Sequence, residues 1–523
     1  MRRPLSLLLL LSLVAAGCVT SPNGGGQDGD GIDPTDVSWA ARAVPSDDAH
    51  AHDDPAQHAN LSTPNFQVVG WDPLVSDAFG ATPGGFFCGG AGTTAEGRKL
   101  AVVHSYHDHT DVAFVVVDVT DPRAPAKVGE YILERSHIYD ATVSLDGRFV
   151  VLGANPEIPS LPIVGAVQVV QPKWRDACTG VLRAAGPEQA LPLSPGVILV
   201  DLADPTNPVF ADFAPTPALG PHSVHAGKVA DANVFLASIT NLEHQASYFQ
   251  FYGVTELPVV GPKLTLLSTY QGPPGPQSNV PLVNGHVDGY IAKHPLTGQT
   301  LAYLANWDAG MIILDISNPR VPIEVATWGG ASEGFGGAPV TFGDDNLGGI
   351  HGTYPLPVTW NDRHYTFAGQ ELVGRPDNRP TGWIFVIDTT DPANPTEVGR
   401  WTLPVDVKWS ESLEFSTHYF VVVNRTLFVS MYHGGVWAVD VSDDALEQPR
   451  AVGVWIPDRV SPQPPGPEGR LSTSDMVLDV IALEDGTLLS FGSRSGAYLL
   501  RYDESRPMPA PPAWDPEAAP GNA

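Results

Sequence analysis

Basic residues are scarce in this chain. Lys and Arg number 28 against 58 Asp and Glu, a formal charge of −30. That balance argues against a nucleic-acid binder, whose affinity rests on clustered cations along the phosphate backbone. Cysteine is scarcer still, with three in 523 residues, Cys18, Cys88 and Cys178. Long apolar runs are missing after the first, at residues 5–14, so no later stretch reads as a transmembrane helix. Several catalytic signatures are missing too. There is no Gly-x-Ser-x-Gly, no His-Glu-x-x-His and no phosphate-cradling glycine loop in a fitting context. The paired carboxylates expected of a glycan hydrolase are not evident either. What is abundant is punctuation. Gly (53) and Pro (51) make up about a fifth of the chain, which points to short elements joined by many turns and against long helices.

The N-terminus reads as an address. Arg2 and Arg3 precede the ten-residue apolar run LSLLLLLSLV, too short to span a bilayer and suited to a signal segment. It ends in Ala15-Ala16-Gly17-Cys18, which resembles a bacterial lipobox. The resemblance implies cleavage of residues 1–17 and lipidation of Cys18, hence a protein tethered to the cell envelope through lipid; an ordinary signal peptide is the alternative. Either reading exports the chain to a compartment where Cys88 and Cys178 are free to pair, although sequence does not fix their separation. Residues 18–62 are rich in Gly, Asp and His (His50, His52, His58) and read as a solvated spacer, and residues 506–523 as a Pro-rich tail.

The body repeats. FVVVDVTDPRAP at 114–125 recurs as VILVDLADPTNP at 197–208, MIILDISNPRVP at 311–322 and IFVIDTTDPANP at 384–395, with a degraded copy, VWAVDVSDD, at 436–444. The β-branched apolar run predicts a buried strand. The Asp-Pro that follows predicts a turn, because proline presets φ and aspartate bonds back to the backbone. Another strand comes next (AKVGEYIL, TEVGRW), and hairpins such as VSLDGRFVVLG precede the run. Four antiparallel strands per unit make one propeller blade. One blade lacking the motif fits between 201 and 315, and an insertion at roughly 154–195 carries Cys178. A last partial blade at 476–503 needs a fourth strand, which FQVVGWDPL at 66–74 supplies. The expectation is an all-β, seven-bladed β-propeller of four-stranded antiparallel blades over 63–505, closed by an N-terminal strand, so that the last blade is not left with an unpaired third strand. These turns closely resemble the LVIVD-repeat family of bacterial surface proteins. The family implies the same fold and little about function.

The histidines fall on one face. If innermost strands run away from a top face, His137, His222, His225, His286, His351 and His418 sit at or just before their starts. His104, His107, His109, His244 and His433 fall in top connections, as do Asp308, Glu371 and Arg494, and Asp344 or Asp345 lies near His351. Only His294 and His364 map to the bottom, so eleven of the thirteen histidines outside the tether share one face. The first six are the expected metal ligands, for one copper, zinc or iron ion, because converging neutral imidazoles suit borderline metals. They equally suit acid–base work near neutral pH. The alternative is structural, each ring bonding a neighbouring blade's backbone. Trp307 and Trp383 read as blade packing, with sugar stacking as the lesser alternative. PHSVHAG at 221–227 and LANWDAGMIILDISNP at 304–319 are similar to the selenium-binding protein/methanethiol oxidase family. That likeness implies a copper-dependent oxidoreductase using His222, His225 and His286, although Ala226 stands where that family often has cysteine. A binding propeller with a surface protein or small molecule as partner is the competing class.

Overall fold

The computed structural model describes residues 62–77, 85–105, 112–133, 136–156, 195–216, 221–241, 246–272, 288–307, 309–329, 349–371, 382–404, 415–457 and 475–506. Cys18, Cys178, His107, His109, His244, His286, Asp308, Asp344, Asp345 and the tether lie outside them. So does the side chain of His137, whose backbone is within the strand Ser136–Val143.

The described strands form seven antiparallel sheets of four, arranged as the blades of a propeller. Numbered along the chain, blades 1–7 have the innermost strands Phe86–Thr93, Ser136–Val143, Pro221–Val229, Gly289–Lys293, Ile350–Pro355, Phe420–Val423 and Val477–Ala482. The outermost strand of blade 7 is Phe66–Asp72, which pairs antiparallel with Gly496–Tyr502. The ring thus closes by joining the two ends of the domain, as the missing fourth strand requires.

The repeated motif has a physical explanation in each half. Its apolar run is the third strand of a blade, such as Val112–Asp118 or Met311–Asp315, and is fully enclosed between neighbouring sheets. Each large aliphatic side chain buried there stabilises the fold by about 1.5–3 kcal/mol. The strand ends where its Asp turns back on the chain. Asp118 Oδ1 accepts from Thr120 N at 3.0 Å, and Asp201, Asp315, Asp388 and Asp440 each accept from the backbone two residues on at 2.7–2.9 Å. The second acid repeats the trick, Asp121 Oδ1 accepting from Arg123 N at 3.0 Å. Two successive Asx turns explain the Asp-x-x-Asp-Pro spacing.

Glycine in the outermost strand is equally specific. A Cβ on Gly129 would lie 2.1 Å from Pro205 O in the turn of the next blade, and one on Gly399 2.2 Å from Leu446 O. The turn after the third strand of each of these neighbours, Pro-containing in blade 2 and the degraded copy in blade 6, therefore rests directly on the preceding blade's outer backbone.

Candidate metal centre

The site begins with a register defect. Most innermost strands carry a β-bulge near the top: between Phe86 and Gly89, Ile138 and Asp140, Pro221 and Ser223, Ile350 and Gly352, and Val477 and Val480. A bulge adds one residue to one strand and re-aims its side chain, and bulges are frequent beside functional sites. His222 and His351 are the inserted residues of their strands.

His351 of blade 5 and His418, just before the inner strand of blade 6, pack with ring centroids 4.4 Å apart and planes tilted by 42°. Glu371, in the connection after the second strand of blade 5, completes a trio. Its Oε2 is 3.5 Å from His351 Nε2, and its Oε1 is 3.7 Å from His418 Nε2. One ligand atom from each of the three lies within 4.8 Å of the others, and all three residues are buried. His418 Nδ1 is 2.8 Å from Leu478 O, which can only accept, so this nitrogen carries the proton. Burial, together with the neighbouring His351, pushes the ring's pKa down to about 3, so it stays neutral. Its Nε2, left as an acceptor, stands 3.7 Å from Glu371 Oε1. Two acceptors facing each other in a dry interior are stabilised by a cation between them.

His222 stands beside the trio, its ring 6.2 Å from that of His351 and perpendicular to it, with Nδ1 3.1 Å from Ser223 Oγ. It is half-buried, unlike the other three. Aromatic rings wall the cluster: Trp307 at 6.1 Å from His351, Tyr419 at 5.3 Å from His351 and 4.5 Å from His418, and Tyr432 at 5.6 Å from His418. The Tyr432 hydroxyl donates to Glu371 Oε1.

Of the six expected ligands, the fold therefore brings together His351 and His418, with His222 adjacent. His225 goes elsewhere. Its ring stacks 4.5 Å from Tyr290 of blade 4, and burial lowers its pKa to about 4. Three further histidines bond backbone carbonyls, His104 and His364 within their own blades and His294 across to the next. His104 Nδ1 bonds Cys88 O at 2.9 Å. On the bottom face His294 and His364 pack at 4.4 Å and bond the carbonyls of Thr389 and Leu356, both at 2.8 Å. Cys88 is buried and forms no disulfide among the described residues; burial holds its pKa well above the ordinary value, which disfavours a reactive thiolate.

Sequence reasoning missed a second feature of the channel. Asp140, Asp288 and Asp479, from the inner ends of blades 2, 4 and 7, sense one another's charge. Burial first, and then this mutual repulsion for Asp288 and Asp479, raises them: Asp140 to about 7, Asp479 to about 8, and Asp288 well above the carboxylate range. Two of them also stitch blades together. Asp140 Oδ2 accepts from Val224 N of blade 3 at 2.9 Å, and Asp479 Oδ2 from Gly89 N of blade 1 at 3.0 Å. The signal was present as an aspartate near the start of each of these inner strands, in HIYDA, HVDGY and MVLDV.

Comparison with known proteins adds little beyond the fold. No curated protein matches the sequence, and nothing supports the likeness to selenium-binding proteins. Among solved structures, a chain of "Crystal Structure of Mitotic Checkpoint Complex" aligns over 85% of this chain and 96% of its own at 10% identity, with a TM-score of 0.45. Residues 300–328 match the LVIVD repeat. They span the strands Thr300–Ala305, Met311–Asp315 and Ile323–Trp328 of blade 4, so the chain is a seven-bladed β-propeller that carries an LVIVD repeat.

Proposed function

We propose that this protein is an exported, lipid-anchored propeller that binds one divalent transition metal through His351, Glu371 and His418 at the top of its channel. The carrying observation is the buried trio itself, two imidazoles and one carboxylate drawn from two blades onto one point. The donor set has no thiolate, which favours zinc or ferrous iron over cuprous copper. Three protein donors leave room for a water or ligand, and half-buried His222 borders that side. Anchoring rests on the Ala-Ala-Gly-Cys18 motif, and −30 of charge favours a small molecule or protein over nucleic acid as partner.

A second reading is a metal-dependent oxidoreductase. It draws on the same trio, since two histidines and one carboxylate with open positions is the set used by non-haem ferrous oxygenases. The copper chemistry expected through His222 and His225 has less support, because His225 stands against Tyr290.

Calorimetric titration of the metal-stripped protein tests the first reading. Zn2+ is expected to bind once, and Glu371→Ala to weaken binding by at least 100-fold, as loss of one of three ligands should. Binding unchanged by Glu371→Ala places the metal elsewhere and ends this reading. Anchoring has its own test: Cys18→Ser should move the protein from the membrane fraction to the soluble one.

A further inference from the structure

One turn recurs at the top of the blades. In blade 4, Asn306 N donates to Gly310 O at 2.8 Å, Gly310 N to Trp307 O at 3.0 Å, and Trp307 exchanges backbone bonds of 2.9 and 3.1 Å with Ile350 of blade 5. In blade 6, Met431 N donates to Gly435 O at 2.8 Å, Gly435 N to Tyr432 O at 3.2 Å, and Val477 N of blade 7 to Tyr432 O at 3.0 Å. Trp307 and Tyr432 thus hold the same station, a hook from one blade onto the next. Ser493 holds it in blade 7, where Phe86 N donates to its carbonyl at 3.2 Å. In blade 5 the corresponding station is Glu371, which follows Gln370 at the end of the second strand. The carboxylate of the candidate metal centre therefore sits between two aromatic hooks, one beside His351 and one beside His418.

Both aromatic hooks are strained. Trp307 has φ of +44° and Tyr432 +52°, in the left-handed region that bulky residues avoid. Ser493 makes the inter-blade bond without that turn and has no positive φ, so the φ belongs to the turn that Trp307 and Tyr432 share. The turn holds each ring over the candidate centre. From that station the Tyr432 hydroxyl bonds Glu371 Oε1, which stands 3.7 Å from His418 Nε2, while Oε2 faces His351 Nε2 at 3.5 Å.

We infer that Tyr432 is a positioning residue that holds Glu371 Oε1 and so fixes the orientation and single-oxygen binding mode of the carboxylate toward a metal between His351 and His418. The inference rests on the metal reading above. Tyr432 thereby sets how the carboxylate faces the two rings. It does so as hydrogen-bonded partners of ligating carboxylates generally do, by fixing orientation and binding mode.

The test is Tyr432→Phe in the full-length chain, which removes only the hydroxyl and leaves the ring and backbone in place. Zn2+ affinity is expected to fall by about 10–100-fold. The visible spectrum of the Co2+ form should change as Glu371 becomes free to bind through both oxygens. In a Glu371→Gln background, Tyr432→Phe should cost no further affinity, because the two residues act as one unit. Wild-type affinity and spectrum in Tyr432→Phe overturn the inference and leave the metal reading intact. An equal loss in the Glu371→Gln background also overturns it, since the hydroxyl would then act independently of the carboxylate. That comparison stays decisive if Tyr432→Phe lowers the melting temperature, because both arms share the loss. Failure of the wild type to bind Zn2+ ends both readings together.

Discussion

Asp479 shows how much a single buried group governs here. It is held near a pKa of about 8 by burial and by Asp140, whereas in the unfolded chain it would ionise near 4. Between those values the folded state binds the proton and the unfolded state does not, so stability falls as pH rises through the window. The expected result is a melting temperature that declines from pH 5 to pH 9. In Asp479→Asn the decline is shallower, with a gain of a few degrees at pH 9 and none at pH 5. Thermal melts at the two pH values check this, and an identical decline in the variant would show that Asp479 is not the responsible group. The same scale separates what sequence can and cannot disclose. GGIHGTY and FSTHYF place His351 and His418 at strand starts, and Glu371 falls on the same face, so the trio was within reach of pattern alone. The bond from Tyr432 to Glu371 was not, because it joins connections of different blades and depends on a backbone φ that no neighbour in sequence specifies. The elevated carboxylates were invisible for a related reason: burial is a property of the closed ring and not of the strand.

At the scale of the element, the third strand and its turn were the most legible part. Apolar β-branched residues followed by Asp-x-x-Asp-Pro encode both burial and the two Asx turns locally. The β-bulges were not legible. A bulge is a shift of register between two strands, and the residues of one strand do not declare how its partner is aligned. The spacing of His222 and His225 illustrates the consequence: three apart, they straddle the two faces of a regular strand, and the bulge at Pro221–Ser223 decides where His222 goes. Packing between elements gives its own prediction. Gly129→Ala would drive a methyl to 2.1 Å from Pro205 O and should destabilise the protein by about 1–3 kcal/mol. Gly253→Ala, whose methyl would meet only Leu267 side-chain atoms at 3.4 Å or more, should stay within about 0.5 kcal/mol. Denaturant midpoints compare the two directly, and equal effects would contradict the role given to the proline turns.

The whole molecule is a ring whose last blade borrows its outer strand from the N-terminus. That closure was readable from a count: seven units, one of them a strand short, and one spare strand at 66–74. The ring explains why function gathers at the channel. Seven inner strands converge there, so residues 196 positions apart, such as His222 and His418, are brought to one centre. Elemental analysis of the full-length protein, purified without chelator or metal-affinity steps, tests this account most directly. It predicts about one equivalent of zinc, iron or copper, absent from the His351→Ala/His418→Ala double variant. Metal-free wild-type protein that also refuses added metal, or an equivalent that persists in the double variant, would contradict it.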